Sequence, residues 1–169
     1  MQRKIVSGWG WNRGLLFCAV LISIALIVPP AYSLEPSEQF IFKKIAVLDF
    51  EDKGDKYRET AGDAMRDILQ KGYPHKIITK ALTTEGLQRE GIKIKYPLSS
   101  KDIIKIGKAL NADAIITGSI SMADRASITA QIFDAKEGQM LAMESFQEKG
   151  EAEPLIKRGT QLLAYKLAN

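Results

Sequence analysis

Residues 111–147 constrain the fold more than any other part of the chain. NADAIITGSI (Asn111–Ile120) is an apolar run that breaks into Gly118-Ser119 and then carries on. Ala126 to Phe133 alternates as a strand does, and Gln139 to Gln147 returns after the turn sequence Asp134-Ala-Lys-Glu-Gly138. Strands joined this closely pair antiparallel, because a parallel pair needs a long crossover. Gly-Ser after an apolar run also suggests a phosphate loop. A phosphate loop, however, opens onto a helix N-terminus, and here Ile120 and Met122 continue the strand pattern. Gly118 therefore reads as a bend or a point of close packing within a strand.

The preceding half supplies the rest of the sheet and its cover. IAVLDF (Ile45–Phe50) is apolar without alternation, as a strand buried on both faces is. Glu51–Lys56 reads as a polar loop turning at Gly54. Ala61, Ala64, Met65, Ile68 and Leu69 form a helical stripe. KIITK (Lys76–Lys80) reads as a short edge strand, and a second helix is expected from Thr83 to Arg89, closed by Gly91. Ile92–Leu98, with its IKIK alternation and Pro97, reads as an extended loop. Ser100 is the expected cap of a third helix whose buried face is Ile103, Ile104, Ile106 and Leu110, with Asn111 at its exit. Glu151, Glu153 and Pro154 open a last helix with Leu155, Ile156, Leu162, Leu163 and Leu167 as its buried stripe. The expected order is βαβααβββα: an α/β domain with a mixed parallel-antiparallel sheet packed by helices.

Residues 1–33 have the layout of a secretory signal peptide. Arg3, Lys4 and Arg13 precede a largely apolar block, Leu15–Val28, and Ala31-Tyr32-Ser33 offers a cleavage site. Cys18, the lone cysteine, lies inside that block rather than at its end, so a lipid attachment is not expected there. Residues 34–42 read as a linker and 43–169 as a single domain, placed in the periplasm. All 20 acidic residues lie beyond the leader, with all but three of the 24 Lys and Arg, leaving a net charge of about +1. The basic pI thus belongs mainly to the leader, and nucleic acid is not an expected partner.

Catalytic constellations are scarce. His75 is the single imidazole, without the companions of a triad or a zinc site, and reads as a surface histidine. The sequence contains no nucleophile elbow, P-loop or dinucleotide fingerprint. The densest group of acids is Asp49, Glu51, Asp52, Asp55 and Glu59, with Asp63 a turn later, and its first three members lie at the end of the first strand, where open α/β sheets place ligands. These three are the ligand candidates of the alternative reading, a small-ligand or metal-binding enzyme, and are interleaved with Lys53, Lys56 and Arg58. No cofactor is expected. Ile77, Ile78 and Lys80 are the candidate edge for strand addition by a partner.

Three segments carry a resemblance. KKIAVLDFED (Lys43–Asp52) resembles the opening strand of the curli-assembly (CsgG-type) envelope proteins. IGKALNADAIITGSI (Ile106–Ile120) is similar to the helix-strand segment of the same group, and ASITAQIFDAKEGQMLAMES (Ala126–Ser145) resembles its hairpin. Related domains occur in the amino-terminal part of TolB, in outer-membrane activators of penicillin-binding proteins and in FlgO-type flagellar proteins. The resemblance implies an anticodon-binding-domain-like α/β sandwich. It also implies a non-enzymatic envelope module that touches other envelope proteins or assembles with itself, with peripheral outer-membrane association open to it. The channel-forming hairpins and lipidated cysteine of the curli protein have no counterpart, since only Met122–Arg125 connects the corresponding strands.

Overall fold

The computed structural model describes residues 42–54, 56–74 and 76–168. The expected leader, Cys18, His75 and the linker apart from Phe42 lie outside the described residues. The elements are β1 (Ile45–Val47), β2 (Glu51–Asp52), α1 (Arg58–Gly72), α2 (Lys80–Arg89), α3 (Ser100–Leu110), β3 (Ala114–Met122), β4 (Ala126–Asp134), β5 (Met140–Glu148) and α4 (Ala152–Ala168). One mixed sheet runs β1-β3-β4-β5, with β2 also on β3. β1 and β2 pair parallel with β3, and β3-β4-β5 form the expected antiparallel meander.

Alternation along the strands divides the core in two. Ile45, Val47, Ile116, Ile120, Ile128 and Ile132 face α1 and α4, whose Met65, Leu69, Ile156 and Leu163 complete that layer. Ala46, Leu48 and Ile115 face the other way, onto Ile103, Ile106 and Leu110 of α3. Helices thus cover the β1-β3 region on both faces, which is why β1 is apolar without alternation. β4 alternates because only one of its faces is deeply buried.

Local chemistry fixes the connections. Asp134 Oδ1 accepts the N–H groups of Lys136 and Glu137 at 2.7 and 2.8 Å, and Gly138 takes φ +69°. This turn is pinned to α3, since a Cβ on Gly138 would lie 2.5 Å from the Ser100 carbonyl oxygen. Asn111 leaves α3 in the left-handed region (φ 48°).

Five expectations change. The cap of α3 is Ser99 rather than Ser100, because Asp102 stands three residues after it and closes a capping box. KIITK is not a strand: it makes one parallel bridge, Ile77 to Ile45, and ends there. Thr79 caps α2 instead, accepting Leu82 N–H at 3.4 Å, so Lys80 begins a helix that was expected only from Thr83. Glu51-Asp52, expected within a loop, is a two-residue strand held by Ser119 and Ile120 of β3. Finally, Leu162 is exposed. α4 buries Gly159 and Thr160 instead, because the helix presses so close that a Cβ on Gly159 would meet Phe146 at 2.5 Å.

Gly118 is the tightest backbone approach in the sheet. A Cβ there would run into the Thr129 carbonyl oxygen and come within 2.6 Å of the Phe50 ring. Gly118→Ala is expected to cost about 3 kcal/mol in urea unfolding, the upper end for overpacking. Gly54→Ala, where the nearest atom is 3.7 Å away, should stay within about 0.5 kcal/mol as an open surface site.

Candidate functional site

Two regions of the fold stand apart chemically: the polar end of β1 and the free edge of β5. At the first, Val47 ends β1, and the chain kinks through Leu48–Phe50 before β2 resumes the pairing. Ile45 exchanges backbone hydrogen bonds with Lys76 and Ile78 on its outer side (2.7 and 2.9 Å). Val47 points its carbonyl the same way, two residues on, where that strip has already turned into α2. Arg66 of α1, 4% exposed, fills the gap by donating Nη2–H to the Val47 carbonyl at 2.7 Å. Its Nη1 pairs with Asp63. The other Asp63 oxygen accepts from Lys80 Nζ at 2.9 Å, and Lys80 also reaches Glu59 at 3.2 Å. An ion network therefore ties α1 and α2 to the end of β1.

The three acidic candidates have separate environments. Asp49 is half-buried against α1, so close that a Cβ on Gly62 would be 3.0 Å from its Cα. Burial raises its carboxyl above the ordinary 3.8, partly opposed by Lys80 and Arg66. Its carbonyl is taken by the Tyr96 hydroxyl and, at 3.4 Å, by Thr117. That hydroxyl is pushed up to about 12, chiefly by burial. Asp52 is buried, with Oδ1 accepting Gly54 N–H at 3.0 Å and Oδ2 accepting Tyr57 N–H at 2.8 Å. It closes the loop into α1, whose N-cap Tyr57 offers no side-chain cap. Glu51 is partly exposed in β2. Among the described residues no three His, Cys, Asp or Glu side chains stand where they could hold a metal ion. Of the expected partner edge, Ile77 is buried, Ile78 is half-buried and Lys80 is engaged in the ion network.

The second region is absent from the sequence reading. β5 is the outer strand of the meander. Glu144 and Glu148, its only charged residues, are paired with Lys166 and Arg158 of α4. Met140, Leu141 and Met143 are 47, 48 and 54% exposed. Leu141 is the extra residue of a bulge, since Met140 pairs with Phe133 and Ala142 with Ile132. Edge strands are commonly shielded by lysine, proline or unpaired inward charge; β5 has neither lysine nor proline, and its charges are tied to α4. The signal available in the sequence was the MLAM run directly after a turn.

No family model and no curated protein matches the chain. Solved structures do match. The LpoB C-terminal domain from Salmonella enterica superposes with a TM-score of 0.54 at 11% identity, over 68% of this chain and 88% of that one. Lipoprotein GNA1162 from Neisseria meningitidis gives 0.51 at 15% identity, over 75% and 97%. PelC from Paraburkholderia phytofirmans, a dodecamer, gives 0.51 at 11% identity, over 82% and 93%. The fold is therefore shared with the LpoB C-terminal domain, lipoprotein GNA1162 and PelC. At these identities the likeness concerns fold alone. No helix among the described residues is long and apolar enough to cross a membrane.

The raised Asp49 pKa means that the folded chain disfavours the carboxylate. The resulting destabilisation is present at neutral pH and disappears as pH falls through the raised value towards 3.8. Asp49→Asn is accordingly expected to raise the urea midpoint at pH 7 and to leave it unchanged below the ordinary aspartate range. Arg66→Met orphans the Val47 carbonyl, and a loss of about 2 kcal/mol is expected from chemical denaturation.

Proposed function

We propose that this chain is a non-enzymatic module of the bacterial cell envelope that works by binding another envelope protein or further copies of itself. The open β5 edge carries this reading. Among the described residues no strand pairs with its outer side, and Met140, Leu141 and Met143 offer flexible apolar surface there. The envelope fold shared with LpoB and GNA1162 supports it, as does the curli-type and FlgO-type resemblance of the strand and hairpin segments. PelC shares the fold and is a dodecamer, which supports self-assembly as one form of the partnership. Residues 1–33 would act as a cleaved secretory leader and deliver the domain to the periplasm. No observation favours chemistry at the end of β1, where Asp52 has both carboxylate oxygens on backbone N–H groups and serves the loop.

The test is a lysine placed in the edge. Met143→Lys adds a charge to an exposed strand position without touching the core, so the melting temperature should hold. Capture of envelope proteins by the tagged chain, and any self-association seen by light scattering, should fall at least about tenfold, the effect of removing a 1.4 kcal/mol contact. Capture and association both unchanged in the variant would remove β5 as the binding edge.

A further inference from the structure

We propose that the outer face of α3, with the extended strip before it, docks on an anionic lipid membrane. The near-zero charge of the chain beyond the leader conceals a local excess. Residues 91–112 hold five lysines and a single acid, Asp102. The fold brings those lysines onto one face. α3 buries Ile103, Ile106, Gly107 and Leu110 against the sheet. Lys101, Lys105 and Lys108 fall on the opposite side and are exposed, spanning roughly 10 Å along the helix. The IKIK alternation has the same sense: Ile92 and Ile94 pack into the α3 layer of the core, and Lys93 and Lys95 turn outwards. Lys136 joins them from the β4-β5 turn, which is packed on α3 through Ala135 against Gly107.

These six lysines form no ion pair among the described residues, in contrast to Arg66, Lys80, Arg158 and Lys166. The acids nearby are spoken for or few. Asp102 holds the Ser99 N–H and hydroxyl at 2.9 and 2.6 Å, and Glu90 stands 3.8 Å from Arg89. Glu137 is the exposed acid left in the turn. Charge complementarity therefore calls for a polyanionic partner. Tyr96, the one aromatic residue of the segment, is half-buried, with its hydroxyl on the Asp49 carbonyl and the Arg58 guanidinium 5.8 Å from its ring centre, so the segment offers no freely exposed ring on which bases would stack. The lysines stand on the outermost side of a helix lying on a sheet, which suits a broad charged surface such as lipid headgroups. This inference is independent of the β5 edge.

Lysine acetylation footprinting of the full chain by mass spectrometry tests it, because the readout is local and does not depend on the leader. With phosphatidylglycerol-containing vesicles, modification of Lys93, Lys95, Lys101, Lys105 and Lys108 should fall by about fivefold or more, while Lys71 and Lys157 stay unchanged. Neutral phosphatidylcholine vesicles and high salt should both abolish that protection. Replacing Lys101, Lys105 and Lys108 together by Gln should remove it from Lys93 and Lys95 too. At about fivefold per lysine, the triple variant should lose roughly a hundredfold in docking affinity. Equal protection on neutral vesicles, or protection spread evenly over all lysines, would overturn the proposal. So would protection by a soluble polyanion such as DNA or heparin but not by the vesicles, which would make the partner a polymer.

Discussion

Phe50 lies over Gly118, and the course of the chain between β1 and β2 depends on that contact. β3 accepts two parallel partners in succession, β1 at Ala114–Ile116 and β2 at Ser119–Ile120. The first strand must leave the ladder between them. It can do so because Gly118 has no side chain, so the Phe50 ring occupies the space above the sheet and belongs to the core beneath α1 and α4. The excursion exposes the Asp49 carbonyl, which Tyr96 and Thr117 then satisfy. A glycine that resembles part of a phosphate loop in sequence is thus the seat of an aromatic ring.

The electrostatics at the same end of the sheet follow from geometry. Because β1 is buried, its outward backbone groups need hydrogen-bond partners although it ends the sheet, and the strip at Lys76–Ile78 reaches only Ile45. The Arg66 guanidinium supplies the next partner, and Asp63 and Lys80 balance its charge. Such an arrangement is weak evidence for stability as a charge pair, since desolvation offsets much of the attraction. Its value lies in satisfying a buried carbonyl and in holding α1 and α2 to one strand end. The acidic residues there are components of that closure. Asp52 secures the entry to α1, and Asp49 is carried into partial burial by the close approach of Gly62.

The meander was legible because each of its signals is local. The alternation of Ala126–Phe133, the Asp134–Gly138 turn and the Asn111 helix exit all act over a few residues. The elements that departed from expectation depend on distant partners. Glu51-Asp52 has no strand character of its own and is a strand because β3 continues past Gly118. KIITK has strand composition, but one residue of pairing cannot compete with the cap that Thr79 gives to α2. Leu162 looked like core, whereas Gly159 and Thr160 are core because α4 must come close to Phe146. At the end of β1 the residue types were visible but not their roles, which Arg66, Lys80 and Tyr96 determine from elsewhere in the chain. The lysines of residues 93–108 were each visible, yet only the packing of α3 and the IKIK strip shows them to share a face.

The turn between β4 and β5 joins the two surfaces described above. Gly138 rests on the Ser100 backbone and Ala135 on Gly107, so the start of β5 is packed directly onto α3. α3 lies flat on the sheet, and its lysines point away from it. With those lysines against a membrane, the sheet lies roughly parallel to the bilayer. The sheet face exposed beside α3 carries Ser121, Ser127, Thr129, Gln131, Ser145 and Gln147. Thr129 bonds Ser145 across the strands at 3.0 Å, and the carboxylate on that face of the strands, Glu51 beside Ser119, lies on the far side of β3 from β5. In that orientation the β5 edge opens sideways, along the membrane plane, towards whatever is held at the same surface. Restricting a partner to that plane raises its effective concentration at the edge. A short strand edge that binds weakly in solution can in this way be sufficient at a membrane.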